Sequence, residues 1–149
     1  MAFIRTNWVG ASIDEAAIEM DKNTDDMNVG DALSWDRSEN KLQLATALHD
    51  NHGEDALFGV CKSDAGTAET VCNVIPFQLN QIFRADCANN TASTQVGHRY
   101  KLTDKDTLNN SGADGNSSAD IFETLKMIGA VTDKILIVRI VAPAGQVSA

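Results

Sequence analysis

Residues 29–47 read Val-Gly-Asp-Ala-Leu-Ser-Trp-Asp-Arg-Ser-Glu-Asn-Lys-Leu-Gln-Leu-Ala-Thr-Ala. A polar segment over residues 36–40 separates two groups of large apolar residues that each fall on one parity, namely Val29, Leu33 and Trp35 before it and Leu42 and Leu44 after it. Alternation on both sides of a short polar break is typical of two half-buried strands joined by a turn. The stretch therefore predicts a β-hairpin, around which the rest of the chain is organised.

The composition favours one turn-rich all-β domain. The chain has 149 residues, which is long enough to bury a core without metals or disulfides. It is 43% hydrophobic but only 5% aromatic, and it contains only 2 prolines. Because Asp, Asn and Gly are frequent, many connections are expected to use Asx turns and glycine.

Apolar runs along the rest of the chain predict further strands. They lie at residues 56–61, 69–77, 81–87, 97–102, 121–128 and 134–141. In one of these runs Phe83, Ala85 and Cys87 form a usable core face, and in another His98, Tyr100 and Leu102 lie on one side of the strand. Pro76 cannot donate to a sheet ladder, so this end of its run is expected at an edge or a bulge.

Two stretches in the C-terminal half are less regular. Residues 121–128 also fit helical spacing through Ile121, Leu125 and Ile128, but pairing with the β-branched run at residues 134–141 as a hairpin favours a strand. Residues 103–119 are rich in Asp, Asn and Gly, and we expect them to form an exposed loop without secondary structure.

The N-terminal region begins with bulky apolar side chains and continues with an acidic segment. Phe3, Ile4, Trp8 and Val9 are expected to tuck under the core or to dock on a neighbour. Residues 12–15 match a capping box, which indicates a short helix from Ile13 to about Met20. An extended arm that ends in a strand through Ile18 and Met20 is the competing interpretation, since so short a helix is marginal without packing.

The net charge of −9 is concentrated near the N-terminus, where residues 1–36 hold eight acidic and two basic side chains. An acidic chain without a basic stripe in its sequence is repelled by phosphate and by anionic lipid, so we expect no nucleic-acid or membrane partner. A basic protein surface would be a natural partner, although acidity that only keeps the protein soluble is an equal alternative. The start of the chain lacks the pattern of a signal peptide, which predicts synthesis in the cytoplasm.

The three cysteines, Cys61, Cys72 and Cys87, have no Cys-x-x-Cys spacing. Buried free thiols are the favoured interpretation. A bridge between Cys61 and Cys72 across neighbouring strands is the alternative, against which the cytoplasmic origin argues.

No pattern in the chain predicts catalysis, a metal or a cofactor. His49 and His52, together with Asp50 and Glu54, could contribute to a metal site, but no second spaced pair accompanies them. Residues 104–120 are rich in oxygen donors, yet they lack the donor spacing of an EF-hand. The serines and thiols show no nucleophile motif, the glycines form no phosphate-binding loop, and three glycosylation-type tripeptides are taken as coincidental.

The pattern as a whole predicts a mainly β fold of eight or nine short strands, arranged as a small antiparallel barrel or sandwich. An N-terminal arm over residues 1–28, with a short helix or extended, precedes a β domain over residues 29–142. A flexible tail follows at residues 143–149.

The order of the elements and several short segments over residues 29–141 resemble the head-decoration, or capsid cement, proteins of tailed bacteriophages. The segments that carry the resemblance are Gly30-Asp-Ala-Leu-Ser-Trp35, Lys41-Leu-Gln-Leu-Ala-Thr46, Leu57-Phe-Gly-Val-Cys61, Phe83-Arg-Ala-Asp86, Val96-Gly-His-Arg-Tyr-Lys-Leu-Thr103, Asp120-Ile-Phe122 and Thr132-Asp-Lys-Ile-Leu-Ile-Val-Arg-Ile140. The chain departs from the family at residues 12–26, where the acidic capping-box segment replaces a fully extended arm.

The resemblance implies a non-enzymatic virion protein on the exterior of an icosahedral capsid, which stabilises the shell by bridging neighbouring major capsid subunits. It also implies self-association, with a trimer favoured over a dimer. Combined with the apolar tip and the acidic segment, it predicts that capsid or subunit contacts involve Phe3, Ile4, Arg5, Trp8, Val9, Asp14, Glu15 and Glu19.

Two other classes of function compete with this expectation. One is a small β-barrel domain that binds a ligand or hydrolyses a substrate with a metal near His49 and His52. The other is a single-stranded nucleic-acid binder, which would require a basic groove with stacking aromatic residues that the sequence lacks.

Overall fold

The computed structural model describes residues 3–5, 17–47, 56–111 and 121–141, and for residues 3–5 only the backbone. The described chain is mainly β, with two antiparallel sheets of six and five strands. Its helical content is limited to two 3₁₀ turns, Ser93–Gln95 and Val131–Asp133.

The six-stranded sheet has the order β1-β7-β11-β10-β8-β9. Its strands are β1 (Phe3–Arg5), β7 (Ile82–Asp86), β8 (Arg99–Asp104), β9 (Thr107–Asn109), β10 (Phe122–Ile128) and β11 (Ile135–Ile140). The five-stranded sheet has the order β2-β6-β5-β3-β4. Its strands are β2 (Ile18–Asp21), β3 (Ala32–Asp36), β4 (Lys41–Leu44), β5 (Leu57–Cys61) and β6 (Val71–Pro76).

The hairpin predicted from residues 29–47 is confirmed by the pairing of β3 with β4. Leu33 pairs with Leu44, and Trp35 pairs with Leu42. Leu33 and Leu42 are completely buried, whereas Trp35 and Leu44 are partly buried and pack against the same cluster. The turn is closed by Asp36, whose carboxylate accepts hydrogen bonds from the backbone and the hydroxyl of Ser38.

The other predicted strands are confirmed as β5, β6, β7, β8, β10 and β11, and β10 pairs with β11 as the expected hairpin. Phe83, Ala85 and Cys87 are all buried, as the parity of their run predicts. Pro76 pairs with Gly59 of β5, but on its other side β2 extends only to the pair Ile18–Val74. On the side of β2, Pro76 therefore has no partner strand and lies at an edge, as expected.

Two predictions were wrong. Residues 18–20 belong to strand β2, which pairs with β6, so the helix expected to reach Met20 does not include them; residues 13–16 lie outside the described part of the chain. The strand alternative for Ile18 and Met20 is the one confirmed. Residues 103–109 are not a structureless loop, because β8 continues to Asp104 and β9 pairs back on it through Leu108, which is buried against Leu102.

The architecture is sandwich-like, and the sheets are not closed into a barrel. Each sheet nevertheless curls. A parallel bridge joins Lys22, just after β2, to Leu42 of β4, the strand at the opposite margin of the five-stranded sheet. A second parallel bridge joins Cys87, just after β7, to Leu108 of β9.

The main core lies on the inner face of the six-stranded sheet. It includes Phe83, Leu136 and Phe122 from that sheet, together with Leu57 and Val60 from β5 of the other sheet. Phe77 follows β6 and enters this core, where its ring meets two others edge-on. The ring centroids of Phe83 and Phe122 lie 5.8 Å and 5.6 Å from that of Phe77, so the three aromatic side chains join the two sheets.

A second, smaller core lies on the other face of the five-stranded sheet. Its buried members are Met27, Leu33, Leu42, Cys61, Ala65, Cys72 and Val74. A bulge in β5 explains why Leu57 and Val60, which are three residues apart, both face the main core. Leu33 pairs with Gly59 and the next residue pairs with Leu57, so the register skips Phe58. The skipped residue packs in the second core.

An ion pair between the partly exposed Lys105 and the buried Asp31 ties the turn between β8 and β9 to the start of β3. Lys105 Nζ lies 3.3 Å from Asp31 Oδ2, and Ala32 donates its backbone N–H to the Lys105 carbonyl at 2.7 Å. The Asp31 carboxylate also accepts the backbone N–H of Asn28. The two sheets are thus held together at this end by polar contacts as well as by the core.

Candidate attachment surface

The outer face of the six-stranded sheet combines an apolar centre with basic side chains. We define it by the charged side chains and half-buried isoleucines that the strand register and alternation place on this face, namely Arg84, Asp86, Arg99, Lys101, Glu123, Lys126, Ile128, Ile135, Ile137 and Arg139. Five of these side chains are basic and two are acidic. The face is therefore locally positive on a chain whose net charge is −9.

The apolar centre of the outer face consists of Ile128, Ile135 and Ile137. Ile135 pairs with Ile128, and Ile137 pairs with Lys126 on one side and Arg84 on the other. All three isoleucines are half-buried, whereas Arg84 and Lys126 are exposed. Long basic side chains that border partly exposed apolar groups are typical of the rim and centre of a protein interface.

Glu123 organises one end of the outer face. Its Oε1 accepts a hydrogen bond of 2.8 Å from Arg139 Nε and lies 2.6 Å from a terminal guanidinium nitrogen of Arg139. Its Oε2 lies 3.6 Å from Arg99 Nε. Arg139 lies on β11 and Arg99 on β8, the two strands that flank β10. The Glu123 carboxylate therefore holds two guanidinium groups in place across three strands. Partly exposed pairs of this kind contribute little to stability, so their main effect is orientation.

The remaining basic groups of the outer face are available for a partner. Within the described part of the chain, Arg84, Lys101 and Lys126 form no salt bridge. All three are exposed. They therefore give the face a positive charge that its own acidic residues do not neutralise.

Of the eight predicted contact residues, the structure describes four, which lie on two different sheets. Phe3, Ile4 and Arg5 form β1, which pairs with Ala85, Arg84 and Phe83 of β7 at the margin of the six-stranded sheet. Glu19 is exposed on β2, the outer strand of the other sheet. The other predicted contacts, Trp8, Val9, Asp14 and Glu15, lie outside the described residues.

An acidic margin accompanies β2. Glu19 and Asp21 are exposed on this strand, and Asp26 is exposed in the chain that follows it. Asp25 turns inward, where its Oδ2 accepts hydrogen bonds from Asn23 Nδ2 at 3.0 Å and from the Leu44 backbone at 3.0 Å. Three of the eight acidic side chains in residues 1–36 are therefore exposed on or just after this strand at the sheet margin.

The residues considered for metal sites do not gather in the described structure. His49 and His52 lie outside the described residues. In the parts of the chain that are described, no three His, Cys, Asp or Glu side chains converge as metal ligands would. Asp104 and Asp106 instead hydrogen-bond to each other, and this hydrogen bond raises the pKa of Asp106. Burial acts to raise the pKa of Asp104, but the hydrogen bonds that its carboxylate accepts outweigh burial and lower this pKa.

No protein-family model matches the chain, and no sequence among the curated proteins matches it significantly. Among the described residues there is no helix with the length and apolar character required to cross a bilayer.

Sequence reasoning missed the outer face because its charges are scattered along the chain. Arg84, Arg99, Lys126 and Arg139 come from four strands, and only the register of the sheet places them on one face. The absence of a basic stripe in the sequence therefore did not mean the absence of a basic surface. The alternation of Ile135, Ile137 and Arg139 was the one local signal of this face.

Proposed function

We propose that the protein is a non-enzymatic structural component of a tailed-phage virion. In this proposal it binds the exterior of an icosahedral capsid and stabilises the shell by bridging neighbouring major capsid subunits. The resemblance of residues 29–141 to head-decoration proteins supplies the partner. The outer face of the six-stranded sheet, with its apolar centre and basic border, is the observation that supports attachment to another protein.

The distribution of charge supports a bridging role. The outer face is positive, whereas the margin of the other sheet carries exposed Glu19 and Asp21. Two surfaces of opposite sign can contact different regions of a shell, or of neighbouring copies in a trimer or dimer. Repetition of a modest contact over many copies strengthens attachment through multivalency.

The N-terminal segment is the second proposed contact. Strand β1 pairs with β7 through backbone atoms, so this margin already accepts an added strand. Main-chain pairing of this kind is a recurrent mode of peptide recognition. The proposal keeps Phe3, Ile4, Arg5, Trp8 and Val9, together with Asp14, Glu15 and Glu19, as residues that contact the shell or a second copy.

The direct test uses purified capsids of the phage that encodes this chain, prepared from a strain in which the gene is deleted. The purified protein is added back, and occupancy and the thermal stability of the capsids are measured. Saturable binding that raises the disruption temperature of the capsids is expected. Capsids that bind no added protein, or a gene deletion that leaves the protein composition of the capsid unchanged, would refute the proposal.

A pair of charge-reversal variants tests the outer face itself. Arg84→Glu combined with Lys126→Glu reverses two exposed charges beside the isoleucines, and we expect about a tenfold or greater loss of capsid affinity. Lys41→Glu combined with Lys62→Glu is the matched control, because both lysines are exposed on the five-stranded sheet or its loop and the net charge changes equally. Equal losses in both variants would show that only overall charge matters.

Deletion of residues 1–10 tests the N-terminal contact. Reduced occupancy with an unchanged fold, measured by circular dichroism, is expected. Undiminished binding would remove these residues from the interface. Raising the salt concentration provides a further check, since an affinity that does not fall would exclude a large contribution from exposed charges.

A further inference from the structure

Two of the three cysteines lie in contact in the second core. Cys61 is the last residue of β5 and Cys72 is the second residue of β6, and their sulfur atoms are 3.5 Å apart. Both residues are buried, with exposed fractions of 1% and 2%. Cys87 belongs to the main core and so lies in a different cluster. The arrangement therefore selects one pair of thiols out of the three.

We propose that Cys61 and Cys72 form a reversible disulfide that fastens the end of β5 to the start of β6 once the protein meets an oxidant. In the structure both thiols are free. A disulfide requires the sulfur atoms to approach to about 2 Å, so each sulfur must move by less than about 1 Å. The inference concerns this chain alone and does not depend on capsid binding.

The strand register places the two cysteines diagonally across the ladder. Cys61 pairs with Val74, and the next rung is the hydrogen bond from the Lys62 backbone to the Asn73 carbonyl at 2.9 Å. Diagonal neighbours in a sheet are within reach of each other's side chains. Cys61 ends β5 and a loop follows it, so a small backbone shift on this side leaves the pairing of Cys72 with Met20 of β2 intact.

The surroundings of the pair favour ionisation of one thiol over the other. The hydrogen bond between the two thiols lowers the pKa of Cys72; burial opposes this effect, and the positive charge of Lys22 adds to it. The same hydrogen bond, followed by burial, raises the pKa of Cys61. Cys72 therefore ionises more readily than Cys61 and is the nucleophile of the pair.

The oxidant in this reaction is a peroxide. The Cys72 thiolate attacks one oxygen of hydrogen peroxide, the O–O bond breaks, and a sulfenic acid and hydroxide form. The Cys61 sulfur then attacks the sulfenic sulfur, the S–O bond breaks, and a second hydroxide leaves that takes up the Cys61 proton as water. The first hydroxide takes up the proton that Cys72 released on ionisation. The two sulfurs together lose two electrons, and the peroxide is reduced to two molecules of water.

The bridge closes the loop that connects β5 to β6. This loop contains Gly66 and Glu69, whose carbonyl oxygens accept hydrogen bonds from Lys22 Nζ. Fixing both ends of the loop therefore also fixes the two carbonyl oxygens that bind Lys22, the residue that follows β2. A protein made reduced in the cytoplasm would gain this cross-link after release into an oxidising medium.

Peptide mapping of the full chain tests the proposal. Reduced protein is treated with hydrogen peroxide under native conditions, unreacted thiols are alkylated in denaturant, and the chain is digested with trypsin. Cleavage after Lys41, Lys62, Arg84 and Arg99 places the three cysteines in separate peptides, residues 42–62, 63–84 and 85–99. We expect peptides 42–62 and 63–84 to be linked and peptide 85–99 to carry an alkylated Cys87.

The oxidised protein should also melt at a temperature about 5 °C higher than the reduced protein, and dithiothreitol should reverse the shift. Cys87→Ala is the matched control, which should retain the linked peptides, whereas Cys72→Ala should lose them. If Cys72→Ala fails to fold, the map of the unmodified chain decides the question. Three alkylated peptides after peroxide treatment, a link through peptide 85–99, or oxidation of Cys72 to sulfinic acid without a link would overturn the proposal.

Discussion

Lys22 Nζ donates a hydrogen bond of 2.9 Å to the carbonyl oxygen of Gly66, a residue 44 positions later in the chain. The same ammonium group donates to the carbonyls of Asn23 at 2.8 Å and Glu69 at 3.2 Å. Lys22 is only 3% exposed, so this side chain is an internal fastener and not a surface charge. It connects the end of β2 to the loop that follows β5.

Replacing this lysine should destabilise the protein. Lys22→Met keeps a similar length but leaves the carbonyls of Gly66 and Glu69 without their donor, and hydrogen bonds to charged groups are worth about 1.5–3 kcal/mol. We expect a loss of about 2 kcal/mol in the free energy of unfolding, measured by chemical denaturation. Lys62→Met, at an exposed position in the same loop, should change the free energy by less than about 0.5 kcal/mol. Equal effects would contradict the role assigned to the ammonium group.

Gly59 should not tolerate even the smallest side chain. A Cβ atom at this position would lie 2.3 Å from the carbonyl oxygen of Ile75 and 2.8 Å from a methyl group of Val74. Since these are backbone and core atoms of the neighbouring strand, Gly59→Ala should cost about 1–3 kcal/mol. Gly66→Ala is a suitable control, because its Cβ would first meet the end of the flexible Glu69 side chain at 3.0 Å. A Gly59→Ala variant as stable as this control would argue against the close approach of β5 and β6.

Asn110 supports the chain between β7 and β8 through its amide group. Its Oδ1 accepts the Asn89 backbone N–H at 3.0 Å, and its Nδ2 donates to the Asn89 and Asn90 carbonyls at 3.1 Å and 3.3 Å. Asn110→Leu would bury these groups without partners, and we expect a loss of about 2–3 kcal/mol in thermal or denaturant unfolding. Asn90→Ala removes an exposed side chain while keeping the carbonyl acceptor, so its stability should stay within about 0.5 kcal/mol of the unmodified protein.

The buried thiol of Cys87 should make the folded protein less stable at alkaline pH. Burial raises the pKa of Cys87 to about 12 from its ordinary value of 9.0, with the Asp86 charge adding to the effect. Because the folded state favours the neutral thiol, its contribution is complete below pH 9.0 and declines as the pH rises toward about 12. The free energy of unfolding of the unmodified chain should therefore fall more steeply over this interval than that of Cys87→Ala. Parallel curves for the two proteins would contradict this prediction.

Much of the fold was predictable because the strands carry strong local patterns. The alternation around Leu33 and Leu42, and the β-branched run that ends at Ile140, each specify a strand without reference to the rest of the chain. Residues 18–20 were less predictable, since a capping box favoured a helix while pairing with β6 imposed a strand. Tertiary pairing decided the outcome there, as it did for β9, where Leu108 alone marks the buried side.

The separation into two sheets and two cores was not predictable. The bulge at Phe58 reverses the alternation within β5, so parity counted along the sequence assigns its residues to the wrong faces. The outer face of the six-stranded sheet depends on the order of strands that are distant in sequence, and a single sequence does not encode that order in any local pattern. The sequence indicated that Cys61 and Cys72 could lie on neighbouring strands. That their sulfur atoms are in contact depends on the register of β5 and β6, which the sequence does not specify locally.

The pairing of β1 and β2 has a consequence for the order in which the protein folds during synthesis. Strand β2 leaves the ribosome before its partner residues, Val71 to Val74, which are made some fifty residues later, and β1 must wait for Phe83–Ala85. Pairings between distant segments form slowly. A nascent chain that stops before these partners appear keeps both N-terminal strands unpaired, and such edges recruit other chains. Chaperone dependence should therefore be greatest for ribosome-bound chains that end before β7.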